Sequence, residues 1–289
     1  MKRIAFLGCE NSHANNFLKY IKSSPELSAE LEVVGVYSDE KEPPEKLNAE
    51  FGVPIMNNYT DAVGKIDGII VTARHGDNHY KYAKPYIESG IPMFIDKPIT
   101  VNEDEAITFM RSLRENGVRI TGGSSLKHAD VIYELKAKSG SGEGGATLGG
   151  TVRAPLSSDS PYGGFYFYAQ HLVEMVCEVF GRYPASVMAF KSGNTKTVVF
   201  RYDGFDVTGL FTETSWQYYA VRHAEKEIQG GEVTLTKAFD REFDEFYKLL
   251  NGGEQTISYD DFISPVFIMN AIERSLTSGK EEKIKEYKV

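Results

Sequence analysis

Five short apolar runs, separated by stretches of helical periodicity, fill the chain up to Thr121 and leave it few ways to fold. The runs are RIAFLG (3–8), VVGVYS (33–38), GIIVT (68–72), PMFID (92–96) and VRIT (118–121). Between them, Ser12–Lys22, Pro44–Phe51, Asn78–Ser89 and Asn102–Asn116 carry apolar residues at helical spacing. Gly52, Gly90 and Gly117 stand just past three of these stretches, where glycine takes the left-handed conformation that closes a helix. Asn102, followed by Glu103 and Asp104, reads as an N-cap with acids in the first turn. Apolar strands alternating with helices predict an α/β, doubly wound parallel sheet covered on both faces. Ligands of such sheets bind at the carboxyl ends of the strands. That rule points to Gly8–His13, Ser38–Asp39, Thr72–His75 and Asp96–Pro98.

The first of these loops, GCENSH, departs from the G-x-G-x-x-G fingerprint of a dinucleotide-binding βαβ unit. Gly8 supplies the first glycine, but Glu10 and His13 fill the second and third positions. The second glycine normally lets the backbone approach a diphosphate, and the third lets helix and strand pack closely. A carboxylate at position 10 repels a diphosphate unless its side chain turns away. The helix N-terminus near Ser12 still offers amide N–H groups and a positive dipole end. His13 either packs at the helix start or contacts a ligand. Asp39 follows the second strand, where an acid accepts hydrogen bonds from the adenosine ribose and repels a 2′-phosphate, favouring NAD over NADP. As part of the run SDEKE it also reads as a solvated turn.

At 289 residues and 41% hydrophobic, the chain can bury the core of one large domain or two ordinary ones. A net charge of −9 without a clustered basic face argues against nucleic acid as a partner. Cys9 and Cys177 form neither a CxxC pair nor a disulfide framework. The first strand pattern starts without a basic segment and apolar stretch of the secretory kind, and no apolar run approaches the ~20 residues that span a bilayer. A soluble, cytoplasmic protein with reduced thiols and no membrane partner is expected.

From about Ser124 the pattern changes. SGSGEGGATLGG (139–150) lacks the Lys-Ser/Thr of a phosphate-binding loop and reads as a flexible connection. The runs TKTVVFRY, FDVTGLFT and WQYYAVRH follow, the first two joined at Asp203-Gly204, a strong hairpin signal. His75 and His79, four apart, suggest a metal pair, but no third ligand presents itself and no metal is expected.

The run GIPMFIDKPIT resembles the glucose–fructose oxidoreductase / inositol dehydrogenase (Gfo/Idh/MocA) family, in which a strand ends in Glu-Lys-Pro and the lysine is catalytic. Here the acid is aspartate: Asp96-Lys97-Pro98. Upstream, DGIIVTARHGDNHYKYAKPYIESG is similar to the family, with His79 at the start of a helix and Gly90 before the strand. The tail ends its helix at Thr277-Ser278-Gly279-Lys280, as the family does. The resemblance implies a Rossmann-like NAD(P)-binding domain over 1–122. It also implies an α+β domain with an open, mainly antiparallel sheet over 123–289, used for substrate binding and for homo-oligomer formation. Candidate cofactor contacts are then Gly8, Glu10, Asn11, Ser12, His13, Asp39, Thr72, Ala73, Arg74, His79, Asp96 and Lys97.

In the second half the family has a glycine pair followed by D-x-G-x-H-x-x-D on a helix. PYGGFYFYAQHLVEMVCEVF keeps Gly163-Gly164 and His171, but Phe167, Ala169 and Glu174 replace the first acid, the glycine and the second acid. His171 and Glu174 share a helical face, where a carboxylate would fix the histidine tautomer and raise its basicity. Lys97 and His171 are therefore the catalytic candidates. Lys97 either exchanges a proton, its pKa lowered by burial, or polarises a hydroxyl as a cation. His171 also reads as a histidine satisfied inside the domain junction. Tyr162, Phe165, Tyr166 and Tyr168 suit stacking on a sugar or nicotinamide ring, or core packing. The implied activity is hydride transfer between NAD and a sugar, polyol or related cyclic hydroxyl compound. A redox-neutral hydrolase or lyase that uses NAD transiently, and a non-catalytic binding or regulatory homologue, remain open.

Overall fold

Strands buried on both faces read as near-continuous apolar runs, and the centres of the first five runs follow that pattern. In the computed structural model, which describes all 289 residues, they form β1 (Lys2–Leu7), β2 (Leu31–Tyr37), β3 (Gly68–Val71), β4 (Met93–Asp96) and β5 (Ile120–Gly123). The sheet order is β2-β1-β3-β4-β5, and every pair is parallel. The chain winds outward from β1 in both directions, so the carboxyl edge at β1 and β3 is the switch point at which ligands of such sheets bind.

The connecting helices are α1 (Ser12–Ser23), α2 (Pro25–Glu30), α3 (Glu42–Phe51), α4 (Asp77–Ala83) and α5 (Glu103–Glu115). Asn102 caps α5, its Oδ1 accepting from the N–H groups of Asp104 and Glu105. The stretch expected as one helix over 78–89 is divided. Beyond Ala83 it tightens into a 3₁₀ turn, Lys84–Ser89, because Pro85 has no N–H to continue the α ladder.

The second half contributes α6 (Asp130–Ser141), β6 (Thr147–Pro155), α7 (Tyr166–Phe180), β7 (Ser186–Ser192), β8 (Thr195–Arg201), β9 (Asp206–Thr212), β10 (Tyr218–Ala224), β11 (Ile228–Val233), α8 (Ala238–Leu250), α9 (Tyr259–Ser278) and β12 (Glu282–Lys283). Its sheet runs β11-β10-β6-β9-β8-β7-β12, antiparallel except for the β6–β9 pair. The glycine-rich stretch 139–150 is not a flexible connection. Its first residues close α6, and its last begin β6. Gly150 is a packing requirement: a Cβ there would lie 2.1 Å from the Phe180 ring.

Helices α6, α7 and α9 bury one face of this second sheet, with Val152, Leu172, Val176, Phe200, Phe211 and Ile268 at the centre. The first sheet is completed by chain from beyond residue 122. Phe243, Phe246 and Leu250 of α8 pack with Ile4, Phe6, Phe17 and Phe94 on one face. Phe262, Ile263, Val266 and Phe267 of α9 join Ile69, Ile95 and Phe109 on the other. No helix is long and apolar enough to cross a membrane.

Candidate active site

The β1 end is clamped to the β3 end. Gly8 has φ +74°, and a Cβ there would sit 2.5 Å from Ala73 backbone atoms. The Thr72 hydroxyl donates to the Gly8 carbonyl at 3.1 Å. Thr72 and Ala73 are fully buried, so their side chains brace the loop from beneath. Asn11 caps α1, its Oδ1 accepting from Ser12 N at 2.7 Å, while its Nδ2 donates to Asp96 Oδ2 at 2.6 Å. Glu10 does not turn away from the chain. Its Oε1 accepts from Arg74 N at 3.0 Å and its Oε2 from the Ser38 hydroxyl at 2.8 Å, which ties together the loops after β1, β2 and β3.

His13 points into the protein. Its Nδ1 lies 3.1 Å from Asp96 Oδ2 and its Nε2 3.3 Å from Glu242 Oε2 on α8. The rings of Phe17 and Phe239 meet it edge-on. Asp96 is fully buried and also accepts from Lys97 N at 2.6 Å, so two donors, Asn11 Nδ2 and Lys97 N, converge on one carboxylate. Burial drives Glu242 well above the usual carboxylate range and raises Asp96 to about 6. Burial also lowers His13, against the opposing pull of Asp96. Burial thus favours the neutral forms of Glu242 and His13, and the ring sits between the two carboxyl groups in close contact, without a hydrogen bond of good geometry to either. The third position of the fingerprint thus holds the middle of a buried acid–histidine–acid chain, at the wall of the cavity described next.

Lys97 follows Asp96 at the β4 end and lines a cavity of about 130 Å³ with His13, Phe167, Tyr168, His171 and Tyr218. Its Nζ donates to the Phe167 carbonyl at 3.2 Å and lies 4.4 Å from the Phe167 ring centre and 5.3 Å from that of Tyr168. Aromatic faces attract an ammonium through their quadrupoles, so Phe167 supplies a cation–π partner where the family has an acid. Burial lowers the Lys97 pKa, opposed by the charges of Asp96 and Glu242.

His171 enters the same cavity from α7. Its partner is the Ser124 hydroxyl, 2.6 Å from Nδ1, and not Glu174. The expected His171–Glu174 pair is absent because the carboxylate is engaged elsewhere: it accepts from Ser124 N at 2.8 Å and from Gln170 Nε2 at 2.6 Å. Burial, with the Lys97 charge, pushes His171 well below its usual range, so the ring is neutral.

The remaining candidates divide. Asp39 stands at the β2 end with Oδ1 accepting from Tyr37 at 2.7 Å and Oδ2 from Lys81 Nζ at 2.9 Å. Arg74 turns toward the second half, donating to the Tyr162 hydroxyl at 2.9 Å. His79 is fully buried, with Nε2 at 2.9 Å from the Ala73 carbonyl, and burial lowers it to about 4. It braces the loop and reaches no groove. His75 lies near the surface, so the two histidines do not form a metal pair.

Sequence reasoning missed Ser124, Gln170 and Glu242. Gln170 anchors the Lys97 loop through Ile99 N at 3.2 Å. Glu242 carried a signal: it stands in register with Phe239, Phe243 and Phe246 on the buried stripe of α8, an acid where the period asks for an apolar residue.

At the carboxyl edge of the parallel sheet the Gly8 turn, the α1 N-terminus and Asp39 stand on one side and the cavity at Lys97 on the other. Glu10 ties together the loops after β1, β2 and β3.

Residues 2–124 match the family model described as "Oxidoreductase family, NAD-binding Rossmann fold". The chain is 21% identical over 191 residues to the uncharacterised oxidoreductase YhhX of Escherichia coli (strain K12), covering 62% of this chain and 53% of that protein. It therefore spans about half the length of this curated relative. A myo-inositol dehydrogenase from Corynebacterium glutamicum shares the fold with a TM-score of 0.85 at 15% identity, over 99% of this chain and 100% of that one. GenD2 from gentamicin A biosynthesis, solved in complex with NAD, gives a TM-score of 0.85 at 13% identity over 99% and 97% of the two chains. With the acid-Lys-Pro strand end in place, residues 2–124 match the NAD-binding Rossmann fold of the Gfo/Idh/MocA oxidoreductase family, and the whole chain shares the two-sheet fold of these solved structures.

Proposed function

We propose that this protein is an NAD-dependent oxidoreductase acting on a sugar, polyol or related cyclic hydroxyl compound. One observation carries the reading: a buried ammonium, Lys97, and a neutral imidazole, His171, line one small cavity at the carboxyl end of the parallel sheet. A bound nicotinamide supplies the hydride acceptor or donor. Lys97 and His171 serve the proton on the substrate oxygen. Burial brings Lys97 closer to exchanging a proton near neutral pH, and the Phe167 carbonyl and two ring faces hold its Nζ in one place. His171 has Nδ1 on Ser124, which leaves Nε2 to accept from the substrate hydroxyl. Asn11, Ser12 and the α1 N-terminus would face the cofactor, with Gly8, Thr72, Ala73, His79 and Asp96 holding the loops behind them.

Asp39 at the β2 end supports NAD over NADP, tempered by the Lys81 charge beside it. The outer face of the second sheet carries the row Phe190, Thr197, Leu210, Arg153, Tyr219, which no element of the chain covers, and supports a homo-oligomer. Two buried thiols suit a reducing compartment such as the cytoplasm. The test is the nicotinamide carried by the purified protein, or bound on titration with NADH. Absence of any binding at millimolar NADH and NADPH would favour a regulatory homologue that kept the fold.

A further inference from the structure

Glu10 occupies the second fingerprint position, and its carboxylate is fully engaged. Oε1 accepts from Arg74 N at 3.0 Å and Oε2 from the Ser38 hydroxyl at 2.8 Å. The residue is 9% exposed. Ser38 and Arg74 follow the two strands that flank β1, so the carboxylate spans the β1 end, two residues before α1 begins. In a dinucleotide-binding sheet that crossing is where a diphosphate approaches the backbone. An amide N–H and a hydroxyl are donors for an oxyanion, and the side chain occupies both. Nearby cations are committed elsewhere: Arg74 donates to Tyr162, and Lys81 pairs with Asp39.

We propose that Glu10 is a built-in anion seated in the diphosphate subsite, so that a nicotinamide dinucleotide enters only by displacing its carboxylate. The inference rests on the cofactor reading above. Two anions cannot share these donors at close range without strong repulsion, and the side chain must swing out before the diphosphate settles. Weak dinucleotide binding follows as a built-in property, with Glu10 setting its strength.

Titration of NADH into the whole protein, followed by nucleotide fluorescence, tests this in the wild type, Glu10→Gly and Glu10→Gln, with adenosine as a ligand lacking phosphate. NADH should bind Glu10→Gly on the order of 10- to 100-fold more tightly than wild type, and Glu10→Gln should also gain. Adenosine affinity should be unchanged. Glu10→Gln keeps the side-chain shape, so it decides the matter if Glu10→Gly does not fold. Equal or weaker NADH binding by the folded variants, with measurable binding by wild type, overturns the proposal and leaves the cofactor reading standing. No binding of NADH or NADPH by wild type or variants overturns both.

Discussion

A buried ammonium needs a counter-charge or a polarisable cage, and Lys97 has the cage. The acid-Lys-Pro run made this lysine legible, since a strand end at the ligand edge is a position rather than an environment. Its environment was not legible. The Phe167 carbonyl and ring come from 70 residues downstream, and Glu242 completes the His13 chain from a helix in the other half of the molecule. For the same reason the spacing of His171 and Glu174 misled: three-residue spacing puts two side chains on one face but does not say which finds a better partner elsewhere. Asp39 gives a prediction of its own. Asp39→Ser should narrow the ratio of NADPH to NADH dissociation constants, because the acid that repels a 2′-phosphate is gone while Lys81 remains to attract it. An unchanged ratio in fluorescence titration would place Asp39 away from the ribose.

The five parallel strands were readable because each is built on a short apolar run, and the helix caps at Asn102, Gly52 and Gly90 fell where the sequence put them. Helix α2 was not, since six residues hold too little periodicity to register. The glycine-rich stretch was misread as flexible because composition cannot distinguish a free glycine from one pressed against a ring. Least legible was the return of α8 to cover the first sheet, a contact that depends on topology and not on local pattern. Phe246 is fully buried there between the β1 and β3 side chains and α1. Phe246→Ala should therefore cost about 3–5 kcal/mol in denaturant unfolding. A loss below about 1 kcal/mol would mean that α8 is not an integral cover of that sheet.

Burial of histidine ties the whole molecule to pH. His79 sits at about 4 in the fold against an ordinary value of 6.5, so the unfolded chain takes up the proton first as pH falls. Its contribution is complete above 6.5 and is lost between 6.5 and about 4, amounting to about 3 kcal/mol. His13, His128 and His171 are displaced in the same direction, while Asp96, raised to about 6, works the other way below that pH. Stability measured by denaturant from pH 6.5 to 4 should fall more steeply in the wild type than in His79→Gln; equal slopes would show that His79 is not held neutral. The uncovered row on the second sheet sets a second expectation. Leu210→Asp, at its centre, should reduce the mass seen in sedimentation velocity to that of one chain without unfolding it, whereas an unchanged mass would remove this face as an interface. The most direct measurement is the rate at which NAD, saturating, is reduced by a panel of inositols and sugar derivatives, followed by NADH absorbance. The wild type should turn over at least one cyclic hydroxyl compound, Lys97→Ala should bind NADH as well but react ~10²–10⁴-fold more slowly, and His171→Ala should lose less. A Lys97→Ala protein as active as wild type would contradict the assignment of proton transfer to this cavity.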